Sequence, residues 1–310
     1  MLATLTTLSV AVAAAAKSGW QSGISSEERF WDSWLKERGG AWPGDFNRRM
    51  NPNQRFCAAQ HLPTSGNHYR ILDVGAGPIT SCGYRIKRAV LDIVPVDPLA
   101  RLYDRLLAKH SLVPPVRTQP LMGESLSGSF GESAFDMVMV RNALDHAKNP
   151  MDVVLQMVHV AKPGCKVVIV FLANERTHER GKGFHKWDMR NVRGRFFIED
   201  EAGTEFDIGR LVAPYATVSC DHRGEMRNRT AFLTKRIPST CTLTKHGEYA
   251  PGVAAATASG SGAPSDRRVM DESPLPPCTG TSYQATWASL VGVCLLVAVC
   301  MRVCSGRSGA

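Results

Sequence analysis

A chain of 310 residues with 44% hydrophobic residues can bury a substantial core, and its folded part reads as one domain of about 210 residues. The formal net charge of +9 comes from basic residues scattered through 85–88, 176–195 and 223–236, with no dense tract and no aromatic interleaving. That pattern favours a solvated surface over a nucleic-acid platform. The nine cysteines (57, 82, 165, 220, 241, 278, 294, 300, 304) include no CxxC and no metal-type spacing with histidine, so neither zinc nor a disulfide framework is expected.

Taken in chain order, residues 1–26 open with an apolar run of small residues, Met1–Ala16, with no Lys or Arg before it. It reads either as a signal or transit peptide or as a flexible start. Residues 27–66 read as a helical cap. Its Trp31, Trp34 and Trp42 are expected to cover a ligand cleft or pack as core.

The most informative stretch follows: YRILDVGAGPIT, Tyr69–Thr80. Ile71, Leu72 and Val74 form a buried strand, Asp73 lies near its carboxyl end, and Gly75 and Gly77 permit a tight turn against a ligand. A ligand on a glycine turn at the carboxyl edge of a parallel sheet is the nucleotide-site geometry of open α/β folds. A dinucleotide fingerprint requires a third glycine where this chain has Thr80. The acid before the glycines and Pro78 after them fit S-adenosylmethionine better.

A second strand, Ala89–Asp97, ends in an acid about 20 residues past the turn, where a carboxylate accepts both hydroxyls of an adenosine ribose. Asp97 also precedes a helical segment that begins at Pro98, so a capping role stands beside the ribose role. Val116–Met122 reads as a weak third strand. After it, Glu124 is positioned to meet an adenine amino group. Ala134–Arg141 is a fourth strand, a helix runs from about Pro150 to Ala161, and the turn Lys162-Pro163-Gly164 leads into a fifth strand, Cys165–Leu172. Strands alternating with helices imply a parallel, doubly wound sheet.

These segments resemble a class I S-adenosylmethionine-dependent methyltransferase, closest to the type 11 group that includes the ubiquinone and menaquinone C-methyltransferases. The resemblance rests on ILDVGAGP (71–78), VPVDP (94–98), MGES with FDMV (135–138), NALDHAKNP (142–150) and VAKPGCKVVI (160–169). FWDSWLKERGGAWPGDF (30–46) adds a likeness to uncharacterised members. It implies an α/β, Rossmann-like methyltransferase domain over residues 67–238. Asp73, Gly75 and Gly77 would hold the methionine portion and the backbone approach of the cofactor. Asp97 would hold the ribose, Glu124 the adenine, and Arg141 and Asn142 the methionine end. The family often has two histidines where this chain has Asp145-His146.

A sulfonium methyl is already activated, so such an enzyme must align a nucleophile and exclude water. A base is needed only if the nucleophile arrives protonated; the candidates are Asp145, His146 and His185. His185 and Trp187 lie on a Gly-rich loop that is expected to help form the acceptor pocket. The expected function is methyl transfer to a small-molecule or lipid-like acceptor. A non-catalytic, membrane-tethered S-adenosylmethionine-binding module and an RNA or protein methyltransferase are the alternatives.

Residues 239–284, rich in Ser, Thr, Gly, Ala and Pro, read as a linker, and 285–303 as a membrane anchor built on the uncharged run Ala285–Met301. Trp287 and Arg302 would mark its two interfaces. A thiol-bearing chain without a disulfide pattern suits a tail-anchored protein with a cytosolic catalytic domain, while a cleaved leader would make it lumenal.

Overall fold

The computed structural model describes residues 23–87, 89–221, 225–226 and 237–247. All of them lie within the first of two compact units, Met1–Ser265. Residues 1–22 of the expected leader segment, most of the expected linker and the expected anchor lie outside the described residues, and residues 23–26 are helical. Among the described residues, no helix is long and apolar enough to cross a membrane.

Seven strands form the central sheet. They are β1 (His68–Val74), β2 (Val90–Asp97), β3 (Gln119–Pro120), β4 (Phe135–Arg141), β5 (Ala161–Leu172), β9 (Ala216–Cys220) and β11 (Pro238–Lys245), in the order β3-β2-β1-β4-β5-β11-β9. The first five are mutually parallel. Crossovers are made by α3 (Ala100–Lys109), α4 (Leu126–Phe130) and α5 (Pro150–Val160). Near-continuous apolar runs such as Val138, Met139 and Val140 belong to strands covered on both faces. Leu72, Val74, Val94, Val140, Val167 and Ile169 pack with Val154 and Met157 of α5 on one face. Ile71, Ile93, Met137, Met139 and Val168 pack on the other, beneath Phe56, Ala58 and Leu62.

Two expectations change here. The sheet is mixed, not wholly parallel, because β11 runs antiparallel between β5 and β9. The folded domain therefore continues past 238. Ser239–Lys245, read from composition as the start of a linker, is an interior strand. Its alternation (Ser239, Cys241 and Leu243 buried) was hidden by the threonines between them, which favour strands as well as loops. The expected turn at Lys162-Pro163-Gly164 lies inside β5 as an irregularity, where the pairing with β4 shifts between Phe135 and Met137.

A second sheet, ordered β10-β6-β7-β8, contains β6 (Asp188–Val192), β7 (Arg195–Glu199), β8 (Glu205–Asp207) and β10 (Glu225–Met226). It follows the short helix α6 (Glu175–Glu179) and precedes α7 (Ile208–Val212) in the chain, apart from β10. Phe196 of β7 stacks on Phe171 of β5 at 5.1 Å and so fastens this sheet to the first. Arg176 and Arg190 do not make a solvated basic face. They pair with Asp188 and Glu199 in a largely buried network that docks α6 on the second sheet.

The expected absence of disulfides is also corrected. Cys57 is bonded to Cys82, and Cys220 to Cys241. Cys220 and Cys241 are register partners on the antiparallel strands β9 and β11, and Cys57 donates its backbone N–H to Cys82 O. Spacing along the chain carries no trace of either pairing, because each is made by strand or loop neighbours over 20 residues apart in sequence. Cys165 is a buried residue of β5.

Candidate active site

The carboxyl ends of β1, β2 and β4 meet at one edge. Past β1, the N–H groups of Gly75 and Ala76 both donate to Val96 O, at 2.8 and 3.1 Å, which folds the turn back onto β2. Gly75 and Gly77 have φ of +67° and +66°, in the left-handed region. Space excludes a side chain as well. A Cβ on Gly75 would lie 2.5 Å from the Ala143 methyl group, and one on Gly77 would lie 2.9 Å from Cζ2 of Trp31.

Asp97 closes the end of β2. Its Oδ2 accepts from Gly77 N at 3.1 Å and its Oδ1 from Leu99 N at 2.8 Å, so it organises both the glycine turn and the entry to α3. Burial pushes its carboxyl up to about 6, against the pull of those two amides. Asp73 accepts from Thr80 Oγ1 at 2.5 Å, which gives Thr80 a role that its place in the glycine motif concealed. Burial also pushes Asp73 up to about 6, opposed by Thr80 and by the positive charges of Arg49 and Arg141. Burial, then Arg49, lowers the Arg141 pKa. Asn142, with φ +49°, donates its N–H to Val170 O and ties the end of β4 to β5.

Glu124 faces the entry to α5, where its Oε1 accepts from the N–H groups of Lys148 and Asn149 at 3.0 and 3.2 Å. Asn149 in turn caps α5 by accepting from Met151 N and Asp152 N.

The cap places two of the three expected tryptophans at the site and adds Arg49, which the sequence did not single out. In the helix α1 (residues 23–36), Trp31 sits over the glycine turn and donates to Glu27 at 2.8 Å. Trp34 is buried beside it, whereas Trp42 is half exposed. From α2 (Pro43–Met50), Arg49 lies over both indoles, at 5.7 and 5.4 Å, and donates to Ile79 O at 2.9 Å. The only local sign of Arg49 is its pairing with Asp45 one helical turn back.

The three candidate titrating groups, distant in sequence, come together. Asp145 and His146 lie in a 3-10 turn just past β4, and His185 on the loop before β6. Lys186 N donates to Asp145 O, and Trp187 Nε1 to Ala147 O, which pins that loop to the β4 edge. His185 Nδ1 is 2.6 Å from Asp145 Oδ2, His146 Nε2 is 3.2 Å from His185 Nδ1, and His146 Nε2 is 3.6 Å from Asp145 Oδ2. Burial would raise the Asp145 pKa, but the adjacent His146 and His185 outweigh it and hold the carboxyl below its ordinary range. Burial lowers His185, yet the hydrogen bond and charge of Asp145 raise it above the usual imidazole value. One donor atom from each residue falls within 4.8 Å of the others, close enough to share a cation.

A family model described as a methyltransferase domain matches residues 72–169, from β1 through most of β5. Over that stretch the chain carries a methyltransferase domain. Similar solved structures include the Burkholderia thailandensis 1,6-didemethyltoxoflavin-N1-methyltransferase with S-adenosylhomocysteine bound, 14% identical, with 73% of this chain and 89% of that chain covered and a TM-score of 0.38. Another is a SAM-dependent methyltransferase of Methanosarcina mazei, 15% identical, with 59% and 94% covered and a TM-score of 0.33. A third is the T. thermophilus 16S rRNA N2 G1207 methyltransferase in complex with AdoMet and guanosine, 13% identical, with 62% and 38% covered and a TM-score of 0.30. No curated protein matches the chain.

In this methyltransferase domain the glycine turn and the carboxylates of Asp73 and Asp97 suit the cofactor's chemistry. The turn leaves its backbone without side chains of its own, packed by Ala143 and Trp31, and Asp73 and Asp97 each keep acceptor capacity beside it for hydroxyl or ammonium donors.

Proposed function

We propose that this protein transfers the methyl group of S-adenosylmethionine to a small-molecule or lipid-like acceptor held beside Asp145, His146 and His185. The observation that carries this reading is Asp97. It is a nearly buried carboxylate at the end of β2, hydrogen-bonded to the glycine turn, with acceptor capacity remaining for a ribose. Gly75 and Gly77 let the turn adopt the left-handed backbone on which the cofactor would lie, Asp73, Arg141 and Asn142 address its methionine end, and Glu124 its adenine. When bound, the cofactor supplies an activated methyl group. The protein's own work is to align the acceptor, exclude water and manage the acceptor's proton. Asp145 holds the His185 ring by its Nδ1 edge, which leaves the other ring nitrogen to face an acceptor.

Calorimetry on the full chain tests the cofactor, with a dissociation constant expected in the micromolar range, about −8 kcal/mol. Labelled-methyl transfer into small-molecule, lipid, RNA and protein fractions then identifies the acceptor class. Absence of binding defeats the reading; binding without transfer to any fraction favours a non-catalytic module, and label in RNA or protein replaces the acceptor class.

The compartment belongs to the same proposal. Two disulfides among the described residues support an oxidising environment over the cytosol. The uncharged run 285–301, with Arg302 and Arg307 after it, supports a membrane anchor whose basic end faces the cytosol and whose methyltransferase domain faces a lumen.

A further inference from the structure

We infer that Asp145, His146 and His185 form a binding site for one divalent transition-metal ion, which receives the acceptor's oxygen. The inference rests on the methyl-transfer reading for its purpose, but its geometry stands independently. Asp145 Oδ2, His185 Nδ1 and His146 Nε2 are separated by 2.6, 3.2 and 3.6 Å. Donors bonded at 2.0–2.2 Å to one ion, at angles between square and tetrahedral, lie about 2.8–3.5 Å apart. The observed triangle brackets that range, so a single ion above it reaches all three atoms with small adjustments.

Hydrogen bonding accounts for the His185–Asp145 pair, where an ion would replace the proton on His185 Nδ1, but not for all three separations at once. A proton on His185 Nδ1 serves either the carboxylate at 2.6 Å or the facing nitrogen of His146 at 3.2 Å. A two-centre bond cannot form with both. The two imidazoles meet edge to face at 4.6 Å, which points their nitrogens toward the shared oxygen instead of stacking the rings. Charge acts the same way. The Asp145 carboxylate and those of Glu175 and Glu179 set a negative field at His185. Asp145 is 1% exposed, so an ion here would have a dry floor and, with three protein ligands, open positions toward solvent.

Two imidazoles and a carboxylate suit Zn²⁺, Co²⁺, Mn²⁺ or Fe²⁺ rather than Ca²⁺ or Mg²⁺. The acceptor class that matches is a hydroxyl compound. Bound to the ion, its O–H loses a proton to solvent at neutral pH. The oxygen lone pair then forms the new bond to the methyl carbon, and the carbon–sulfur bond breaks with its electron pair remaining on sulfur. The products are a methyl ether, a neutral thioether and one released proton.

The test uses the full chain without a histidine tag, stripped by chelator and titrated with Co²⁺ and with Zn²⁺. One site per chain is expected. Asp145→Ala, His146→Ala and His185→Ala should each weaken it by about tenfold or more, the range over which even supporting residues act. S-adenosylhomocysteine binding should persist in all three variants, which separates failure of the metal site from failure of the cofactor reading and also shows that the variants fold. Zinc-edge absorption on the loaded wild-type protein, expected to show two imidazoles and an oxygen, needs no variant. Wild-type affinity no tighter than that of His185→Ala, or a zinc shell without imidazole, overturns the site.

Discussion

Trp31 lies directly against Gly77, so the indole of the N-terminal cap occupies the space a side chain at the glycine turn would need. Gly77→Ala therefore meets two obstacles: a left-handed φ costing about 1–2 kcal/mol and a rigid ring 2.9 Å away. Cofactor affinity should fall by about tenfold or more, and Trp31→Phe should restore part of it by removing the six-membered portion of the indole. Calorimetry on the two single variants and the double variant measures this coupling. Strict additivity would show that Trp31 does not limit the turn.

Asp97→Ala should weaken cofactor binding by about 1.5–3 kcal/mol through lost charge-assisted hydrogen bonds. Affinity of the wild type should also fall as pH drops below about 6, where Asp97 protonates and ceases to be a full acceptor. Dissociation constants at pH 7.5 and pH 5 check both statements. Asp97→Asn should remove the Asp97 share of the pH dependence and leave that of Asp73, which is also raised to about 6.

The unliganded protein should show the opposite trend in stability. Asp73 and Asp97 are raised to about 6 in the fold, so their contribution is present at acid pH and lost as pH rises from the unfolded value toward 6. His185, also raised, loses its contribution as pH rises through its folded value. Asp145 is lowered and adds stability that disappears only in stronger acid. Thermal melts should therefore be higher near pH 5.5 than near pH 7.5, and saturating cofactor should shrink or reverse the difference. His61, lowered by burial, acts in the opposite sense over the same window, so the comparison is with Asp73→Asn/Asp97→Asn, and an unchanged dependence of the melt on pH in that variant would contradict the burial of both carboxylates.

Each disulfide closes a loop, with sequence separations of 25 and 21 residues, and loop entropy assigns each about 3 kcal/mol. Cys220→Ser/Cys241→Ser should lower the melting temperature by roughly 6–12 °C in a domain of this size. Intact-mass measurement after alkylation without reductant should find these four thiols protected. Alkylation of all four in freshly purified protein would remove the case for an oxidising compartment.

A chain ending at Ile237 should fail to fold, because it lacks the strand that pairs β5 with β9 and the cysteine that bonds Cys220. A chain ending at Gly247 should stay soluble and bind the cofactor. Solubility, circular dichroism and calorimetry on the pair locate the domain's end. Equal behaviour of the two would make β11 dispensable.

The run 285–301 should hold the full-length protein in carbonate-washed membranes, and Leu295→Arg should release much of it at a cost of about 2.5–3.5 kcal/mol at a helix centre. Recovery of the wild-type chain in the soluble fraction would remove the anchor.

The sequence by itself determined the half of the domain where function and local pattern coincide. Apolar runs ending in Asp73 and Asp97, with Gly75 and Gly77 at a fixed interval, mark strands, turn and cofactor edge because buried parallel strands and tight turns impose their own residue types. It also named Asp145 and His146 as an adjacent pair and His185 as a further candidate at the same acceptor edge. Only the tertiary structure decided that these three touch, within 3.6 Å, since His185 arrives from beyond β5 on a loop with no periodic signal. The same holds for Arg49 and Trp31, brought over the site by a separate cap, and for Cys57–Cys82 and Cys220–Cys241, whose pairing depends on neighbours across the fold. β11 was missed for a related reason: Pro, Ser and Thr read as linker until antiparallel partners on both sides supply the hydrogen bonds and the buried face that make them a strand.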